Sequence, residues 1–319
     1  MGWRPSATRE HGVLNTCSLL RPADIVWHGS QVLDLHVHVW PHHPGTVTPT
    51  LGLLERCCVQ AAAKGIDQIA ITEHSHRFAR IIESVLPHWE RPRDGPVADA
   101  TMHVLDVEGG ADLDAYVEAL LHAQDQGLPV LIGLEVDHLP GAGDVMASVL
   151  AEYPFDVLLG SVHWLDEWLF DAYGTPAFAA MWNERDTDQV FAQYVDAVVE
   201  LARTGAVDVL AHLDVIKVAG HRAPRLREHE ERLIDGISPD DLVIELSSAG
   251  LRKPVADIYP SASLLDRVLD AGFQLTTASD AHSVDQIGWA FERLVAELDT
   301  RAVHTLTSFH RRQRQPYSR

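Results

Sequence analysis

The chain has 319 residues, of which 46% are hydrophobic and 22% are charged, a composition typical of a globular protein and not of a disordered one. Its formal net charge of −21 disfavours binding to long nucleic acids, which favour a basic surface. The three cysteines form neither a CxxC pair nor a disulfide framework, so we expect a reducing, cytoplasmic environment and no thiolate metal site; no apolar run predicts a membrane span.

The first predicted strand ends in a pair of histidines. Residues 1–30 show no strong periodicity, and we interpret them as an irregular N-terminal extension. An apolar run from Val32 predicts a buried strand, in which His36 and His38 share a face because alternate side chains of a strand point the same way. Two imidazoles on one face are half of a transition-metal site, although the pair alone is equally typical of an ordinary strand.

Six further apolar strands are predicted, separated by segments with helical periodicity. Each strand ends in an imidazole or a carboxylate. In chain order these are His74, Glu135 with Asp137, His163, His212 with Asp214, Glu245, and Asp280 with His282. The carboxyl ends of the strands in a (β/α) barrel converge on one face. The sequence therefore predicts an α/β fold of about seven strand–helix repeats, with a polar site at one end.

Two segments interrupt this pattern within a catalytic domain predicted to span residues 31–300. Residues 75–110 are rich in Pro, Arg and Trp, and residues 165–186 are rich in aromatic side chains. We interpret both as irregular lid or pocket loops. Residues 301–319 form a C-terminal segment, whose polar tail RRQRQPYSR is expected to fray.

The strand-end motifs resemble those of the PHP (polymerase and histidinol phosphatase) superfamily of metal-dependent phosphoesterases. The resemblance extends in order over about residues 32–295, and GSVHWLDEWLFD and IELSSAGLRKP are similar to its histidinol-phosphatase branch. The motifs are His36-x-His38, Thr72-Glu73-His74, Gly133-x-Glu135, Ser161-Val162-His163, His212-Leu213-Asp214 and Ser279-Asp280-Ala281-His282.

The resemblance implies a distorted (β/α)7 TIM-like barrel that holds two to three divalent metal ions, which could be Zn, Mn, Fe or Co. His36, His38, Glu135 and Asp280 would bind the first ion. Glu135 would bridge to a second ion, completed by His163 and His212. His74, His282 and a loop histidine would bind the third, with His43 preferred over His42 because the loop then has more room to return. Glu135, His212 and Asp280 are expected to be the catalytic residues.

The implied reaction is hydrolysis of a small phosphate ester by a metal-bridging hydroxide, most specifically of L-histidinol phosphate to L-histidinol and phosphate. One alternative is a PHP phosphoesterase acting on a nucleotide or another small ester. Another is a non-catalytic metal-binding PHP module, which the complete set of motifs disfavours.

Several other polar residues are candidates for substrate contacts. Arg252 and Lys253 follow the Glu245 strand and could bind the phosphate, although a solvated basic turn has the same pattern. Lys217 is a weaker candidate for the same role. Asp137 and Asp171 could face a substrate ammonium, Asp214 could orient a metal ligand, and Glu73 is expected to point away from the metals.

Overall fold

A computed structural model of the chain describes residues 32–40, 47–92 and 94–319. The predicted N-terminal extension and the loop candidates His42 and His43 lie outside the described residues. The described strands are β1 (Val32–Val37), β2 (Ile66–Ile71), β3 (Val130–Asp137), β4 (Val157–Ser161), β5 (Trp164–Leu165), β6 (Trp168–Leu169), β7 (Val209–Leu210), β8 (Val243–Ser247), β9 (Gln274–Ala278), β10 (Thr305–His310) and β11 (Gln313–Ser318).

Helices follow most of the barrel strands. They are α1 (Leu51–Ala63), α2 (Ala79–Val85), α3 (Pro96–Glu108), α4 (Leu113–Asp125), α5 (Gly143–Leu150), α6 (Pro176–Glu184), α7 (Thr187–Arg203), α8 (Leu226–Gly236), α9 (Ala262–Asp270) and α10 (Phe291–Thr300). Several begin at capping side chains visible in the sequence, since Asp112 accepts from the backbone N–H of Ala115 and Asp186 accepts from that of Gln189. Within the described ranges, no helix has the length and apolar composition that crossing a bilayer would require.

Seven of the strands form one parallel sheet in the order β1-β2-β3-β4-β7-β8-β9, which confirms the predicted distorted (β/α)7 barrel. The sheet nearly closes, because Val37 at the end of β1 forms a parallel bridge with Ala281, just beyond β9. The strands are buried almost throughout, with helices on their outer face. This double burial explains why they occur in the sequence as short, nearly continuous apolar runs.

The segment at residues 75–110 is more regular than predicted, since it contains α2 and α3. Their buried residues include Ile81, Val85 and Leu105, and Pro96 opens α3 at a position where a missing N–H costs no hydrogen bond. The prolines and arginines around these helices obscured their periodicity. The role of this segment as a lid stays a prediction.

The aromatic segment at residues 165–186 also folds more regularly than predicted, into the β5–β6 hairpin and α6. Trp168 Nε1–H donates to the carbonyl of Phe178, and Trp182 Nε1–H donates to that of Phe170. The two indole rings lie 4.9 Å apart at an edge-on angle of 73°. The aromatic residues therefore form a small core of their own beside the barrel.

The prediction of a frayed C-terminal tail is wrong, because β10 and β11 form an antiparallel hairpin. Arg312 of the tail is fixed by an ion pair, since its Nε–H donates to both carboxylate oxygens of Asp208, at 3.1 Å each. The hairpin lies at the N-terminal ends of the barrel strands, where Ser308 bonds to Gln68 of β2 and Thr307 to Gln274 of β9. It covers the end of the barrel opposite the strand-end histidines.

Candidate metal centre

Glu135 of β3 lies at the centre of the barrel mouth and is 1% exposed. One carboxylate oxygen, Oε1, lies 2.9 Å from Nε2 of His212 and 3.4 Å from Nε2 of His163. His163 follows β4, which is next to β3 in the sheet, and His212 follows β7, which is next to β4. One face of the carboxylate thus meets the imidazoles from two adjacent strand ends.

The other oxygen of Glu135, Oε2, faces a second group of imidazoles. It lies 2.7 Å from Nδ1 of His74, 3.2 Å from Nε2 of His38 and 3.4 Å from Nε2 of His36. The Nε2 atoms of His36 and His38 are 2.9 Å apart, so the two rings point at one position, as the spacing in β1 predicts. The two oxygens of one carboxylate therefore face two different groups of donor atoms.

Asp280 completes the second group from the end of β9. Its Oδ1 lies 3.5 Å from Nε2 of His38 and 3.9 Å from Nε2 of His36, and His282 Nδ1 lies 3.6 Å from the same oxygen. The rings of His74 and His282 both stack on that of His38, with centroid separations of 4.3 and 4.5 Å. Every described candidate ligand is thus gathered at this end of the barrel.

Two of these residues have left-handed backbone conformations, with φ of 26° at His212 and 51° at Asp280. Residues other than glycine pay roughly 1–3 kcal/mol for such conformations. The cost is tolerated where the surrounding structure fixes the residue, and both lie where a strand ends and the chain turns across the mouth. The strain is consistent with side chains held for function.

Further carboxylates bind the ring nitrogens of these imidazoles that point away from the centre. Glu245 of β8 accepts from His36 Nδ1–H at 2.7 Å and from the backbone N–H of His212 at 3.1 Å. Glu73 accepts from His38 Nδ1–H at 3.0 Å, so it points away from the convergent Nε2 atoms, as expected, but it still orients a candidate ligand. A hydrogen bond at one ring nitrogen sets the tautomer that leaves the other free for a metal.

Asp137 performs the same task for His163, and its predicted contact with a substrate ammonium is wrong. Its Oδ1 accepts from His163 Nδ1–H at 2.8 Å, while Oδ2 accepts from His76 Nδ1–H and the hydroxyl of Ser75, both at 2.9 Å. With 2% exposure and both oxygens engaged, Asp137 leaves no acceptor for a substrate. Asp171 lies near the centre, where its charge contributes to the raised pKa of His163.

The predicted phosphate contact of Lys217 is also wrong. Its Nζ is held by Asp214 at 2.8 Å, by Asp257 at 2.9 Å and by the carbonyl of Ile258 at 2.8 Å. Asp214 also accepts from the backbone N–H of Ser261, which ties neighbouring loops together. None of the hydrogen bonds of Asp214 in the described structure reaches a candidate ligand, so its predicted orienting role is not supported.

Arg252 and Lys253 lie beside Asp280. Arg252 Nη2–H donates to the carbonyls of Ser279 and Asp280 at 2.7 and 2.8 Å, and its guanidinium lies 5.2 Å from the ring centroid of Trp289. Lys253 contributes to holding the pKa of Asp280 below its usual range; burial opposes this, and the nearby imidazoles and Lys253 together outweigh it. Both cations are therefore close to the mouth.

The donor set fits divalent transition metals. It consists of imidazole nitrogens and carboxylate oxygens without a thiolate, which suits Zn, Mn, Fe or Co. Donor atoms of His36, His38 and Asp280 lie within 4.8 Å of one another, and so do those of His38, His74 and His282. Further groups within the same limit are His36, Glu135 and His212, and His74, Asp137 and His163.

Electrostatic interactions within the centre favour the protonated form of some imidazoles and the neutral form of another. Burial opposes protonation of His36, but attraction to Glu245 and Glu135 outweighs it and raises the pKa of that imidazole well above its usual value. In the same way, Glu135, Asp171 and Asp137 overcome the effect of burial and raise the pKa of His163 to about 10. Burial dominates at His74 and lowers its pKa well below the usual value.

We expect metal binding to release protons, because His36 and His163 must lose theirs to become ligands. Apparent metal affinity should therefore rise with pH across the neutral range, towards the pKa of about 10 at His163. The number of protons released can be measured by calorimetry, when Zn²⁺ or Mn²⁺ is titrated into metal-free protein in buffers of different ionisation enthalpy. A count of zero at neutral pH would contradict the expectation.

Asp137→Asn should weaken metal binding by about 10- to 100-fold, the usual effect of losing an outer partner of a ligating histidine. The amide keeps the size of the side chain but removes the charge that fixes the His163 tautomer. Metal competition with a chromogenic chelator measures the change. Asp188→Asn is a matched control, because Asp188 accepts from Arg225 and His229 in a separate cluster; equal loss in both variants would contradict the role of Asp137.

A family model described as PHP domain matches residues 34–249, more than half of the chain. A relative from Deinococcus radiodurans named "Probable histidinol-phosphatase" is 34% identical over 185 residues, covering 58% of this chain and 70% of the relative. A Schizosaccharomyces pombe protein of the same name is 23% identical over 273 residues, covering 80% of this chain and 83% of that protein.

The fold is similar to that of a solved histidinol phosphate phosphatase from Lactococcus lactis, in complex with zinc, L-histidinol and phosphate. The TM-score is 0.67 at 16% identity, covering 90% of this chain and all of that one. At this identity the likeness concerns the fold, and it agrees with the barrel described above.

Proposed function

Because the chain belongs to the PHP domain family, we propose that it is a metal-dependent phosphomonoesterase and that its substrate is L-histidinol phosphate, hydrolysed to L-histidinol and phosphate. The observation that carries the proposal is the buried carboxylate of Glu135, with imidazoles from separate strands at each oxygen. The names of the relatives support the choice of ester. The acidic net charge is consistent with a small substrate instead of a long nucleic acid.

The proposed ligands follow the two sides of Glu135. Oε1 of Glu135 with His163 and His212 would hold one ion, and Oε2 with His36, His38 and Asp280 would hold another. His74 and His282 would contribute to a third. When bound, such ions acidify water and neutralise charge on the phosphate oxygens. The outer carboxylates Glu73, Asp137 and Glu245 keep the ligating nitrogens directed at the centre.

Arg252 is the proposed phosphate-binding residue, together with Lys253. Two carbonyls fix Nη2 of Arg252, while Nη1 is buried and has no hydrogen-bond partner among the described residues. A guanidinium fixed at one nitrogen, with a donor left at another, suits a phosphate oxygen.

Arg252→Ala should raise KM by about 10- to 100-fold, the value of a charge-assisted hydrogen bond, while metal content is unchanged. Steady-state kinetics and metal analysis of the same preparation measure the two effects. Arg312→Ala is the control, since Arg312 pairs with Asp208 at the opposite end of the barrel. An unchanged KM in Arg252→Ala would remove this role.

A phosphate-release screen of the metal-replete protein tests the function. Histidinol phosphate and nucleoside monophosphates are compared side by side, and we expect the highest kcat/KM with histidinol phosphate. Preference for a nucleotide would overturn the substrate but retain the reaction. No release from any ester by fully metallated protein would favour the non-catalytic module.

A further inference from the structure

Tyr259 is a buried residue of the barrel mouth to which the proposed function assigns no role. It is 1% exposed and lies in the loop after β8. Its backbone is fixed to the end of that strand by two hydrogen bonds. The N–H of Tyr259 donates to the carbonyl of Ser247 at 3.0 Å, and the N–H of Ser247 donates to the carbonyl of Tyr259 at 2.6 Å. The same strand carries Glu245, which holds His36 and His212.

The tyrosine ring is closely confined beside a candidate metal ligand. Its centroid lies 6.3 Å from that of the His212 imidazole, at an interplanar angle of 74°. A Cβ at Gly250 would lie only 2.8 Å from ring atom Cζ, so the glycine is needed for the ring to fit. The ammonium of Lys217 lies 5.3 Å from the ring centroid and fixes that side. The position of the hydroxyl is therefore set by packing and not by a hydrogen bond.

The hydroxyl of Tyr259 is buried and has no hydrogen-bond partner among the described residues. Burial and the nearby carboxylates of Asp214, Asp280 and Asp171 all raise the pKa of the phenol, so it keeps its proton and is a donor. A buried hydroxyl without an acceptor has an unfavourable free energy, because it has lost its hydrogen bonds to water. A hydrogen bond to an oxygen of a bound ligand would remove this cost. An oxygen ligand beside His212 and Asp280 is what the proposed reaction supplies.

We propose that Tyr259 is a substrate-binding residue whose hydroxyl donates a hydrogen bond to an oxygen of the phosphate group, in the ester and in the phosphate product. The inference rests on the proposed function, because the acceptor is the phosphate placed at the metal centre. It adds to the cationic contacts a neutral donor on the His212 side of the mouth. A neutral donor can bind phosphate without competing with the metals for the carboxylates.

The test compares Tyr259→Phe with Tyr194→Phe. Tyr194 is a matched control, because it is also buried near Asp171 and Asp214 but its hydroxyl already donates to the carbonyl of Leu213 at 3.1 Å. Binding of inorganic phosphate to the metal-replete proteins is measured by calorimetry, with metal content determined on each sample. We expect phosphate affinity to fall by about 10- to 100-fold in Tyr259→Phe only, with metal content unchanged.

Two results would overturn the assignment: equal phosphate affinity in Tyr259→Phe and wild type, or a loss of bound metal that accounts for the weaker affinity. Phosphate binding is read without turnover, so the outcome is separate from that of the ester screen. If wild-type protein hydrolysed no ester, the proposed function would fail while the phosphate comparison still decided the role of Tyr259.

Discussion

Glu135→Gln is expected to abolish phosphate release and to remove at least one bound metal ion. The amide retains the shape of the side chain but loses the negative charge that imidazoles approach at both oxygens. It also presents an N–H₂ donor to one of the two imidazole groups, where a ligand oxygen is needed. The loss of kcat/KM should exceed the roughly 100-fold that removal of an outer partner costs, because both halves of the centre depend on this residue.

Metal content by elemental analysis and phosphate release on the same sample measure the two effects. Glu297→Gln is a matched control, since Glu297 is also buried but lies on α10, away from the candidate ligands. It forms ion pairs with Arg293 on the same helix and with Arg301, which directly follows the helix. The control should keep its metal and its activity. Wild-type metal content with wild-type turnover in Glu135→Gln would show that this carboxylate is not the centre of the site.

The sequence predicted the fold well because parallel strands in a barrel leave a clear pattern. Each strand is a short apolar run, and the residue that ends it is the one that the barrel places at the mouth. Alternation along β1 and the residue that follows it correctly predicted that His36 and His38 point at one position. These features depend only on residues that are close together in the sequence, so one sequence is enough to recognise them.

The outer partners could not be assigned in the same way, because their roles depend on pairings between distant strands. Glu135 and Asp137 lie two residues apart on β3, so their side chains are on the same face of the strand. Glu135 nevertheless faces two groups of candidate ligands, whereas Asp137 accepts hydrogen bonds from the imidazoles of His163 and His76. The sequence places Glu245 at a strand end, but its hydrogen bond with His36 joins β8 to β1, which lie far apart in the sequence, and leaves no local signal. The ion pairs of Lys217 with Asp214 and Asp257 likewise depend on the fold, so the sequence alone does not distinguish this lysine from a phosphate-binding one.

The tail was mispredicted for a different reason. Its polar residues indicate exposure when read alone, but Arg312 and Tyr317 pair with Asp208 and Asp67, more than a hundred residues away in sequence. Buried Phe309 and Leu306 on β10 then fix the hairpin against the barrel. The polar composition of the tail is therefore compatible with an ordered hairpin, because its polar side chains form hydrogen bonds with the rest of the protein.

Asp34→Ala should cause a substantial loss of stability, although Asp34 is not a candidate metal ligand. Asp34 is fully buried in β1 and accepts from the N–H of Ser279 at 2.7 Å, from its hydroxyl at 2.6 Å and from the N–H of Gly288 at 3.0 Å. These bonds link the first barrel strand to the loop after the last one. Truncation leaves three donors without an acceptor, each worth about 1–3 kcal/mol.

The net effect should be smaller than that sum, because burial of the carboxylate is itself unfavourable. Burial raises the pKa of Asp34 to about 6, in spite of the hydrogen bonds from Ser279 and Gly288 that oppose the shift. Removing the charge recovers part of this cost, so we expect the free energy of unfolding to fall by about 2–4 kcal/mol. Urea unfolding of metal-free protein measures the change without the contribution of bound ions.

Asp34→Asn tests whether the bonds or the packing account for the loss, since the amide keeps one acceptor oxygen at nearly the same volume. It should be destabilised, but less than Asp34→Ala. Because Ser279 directly precedes Asp280, both variants should also bind metal more weakly in proportion to their loss of stability. An alanine variant that unfolds at the wild-type urea concentration would mean that barrel closure depends on the bridge between Val37 and Ala281 and on packing, and not on Asp34.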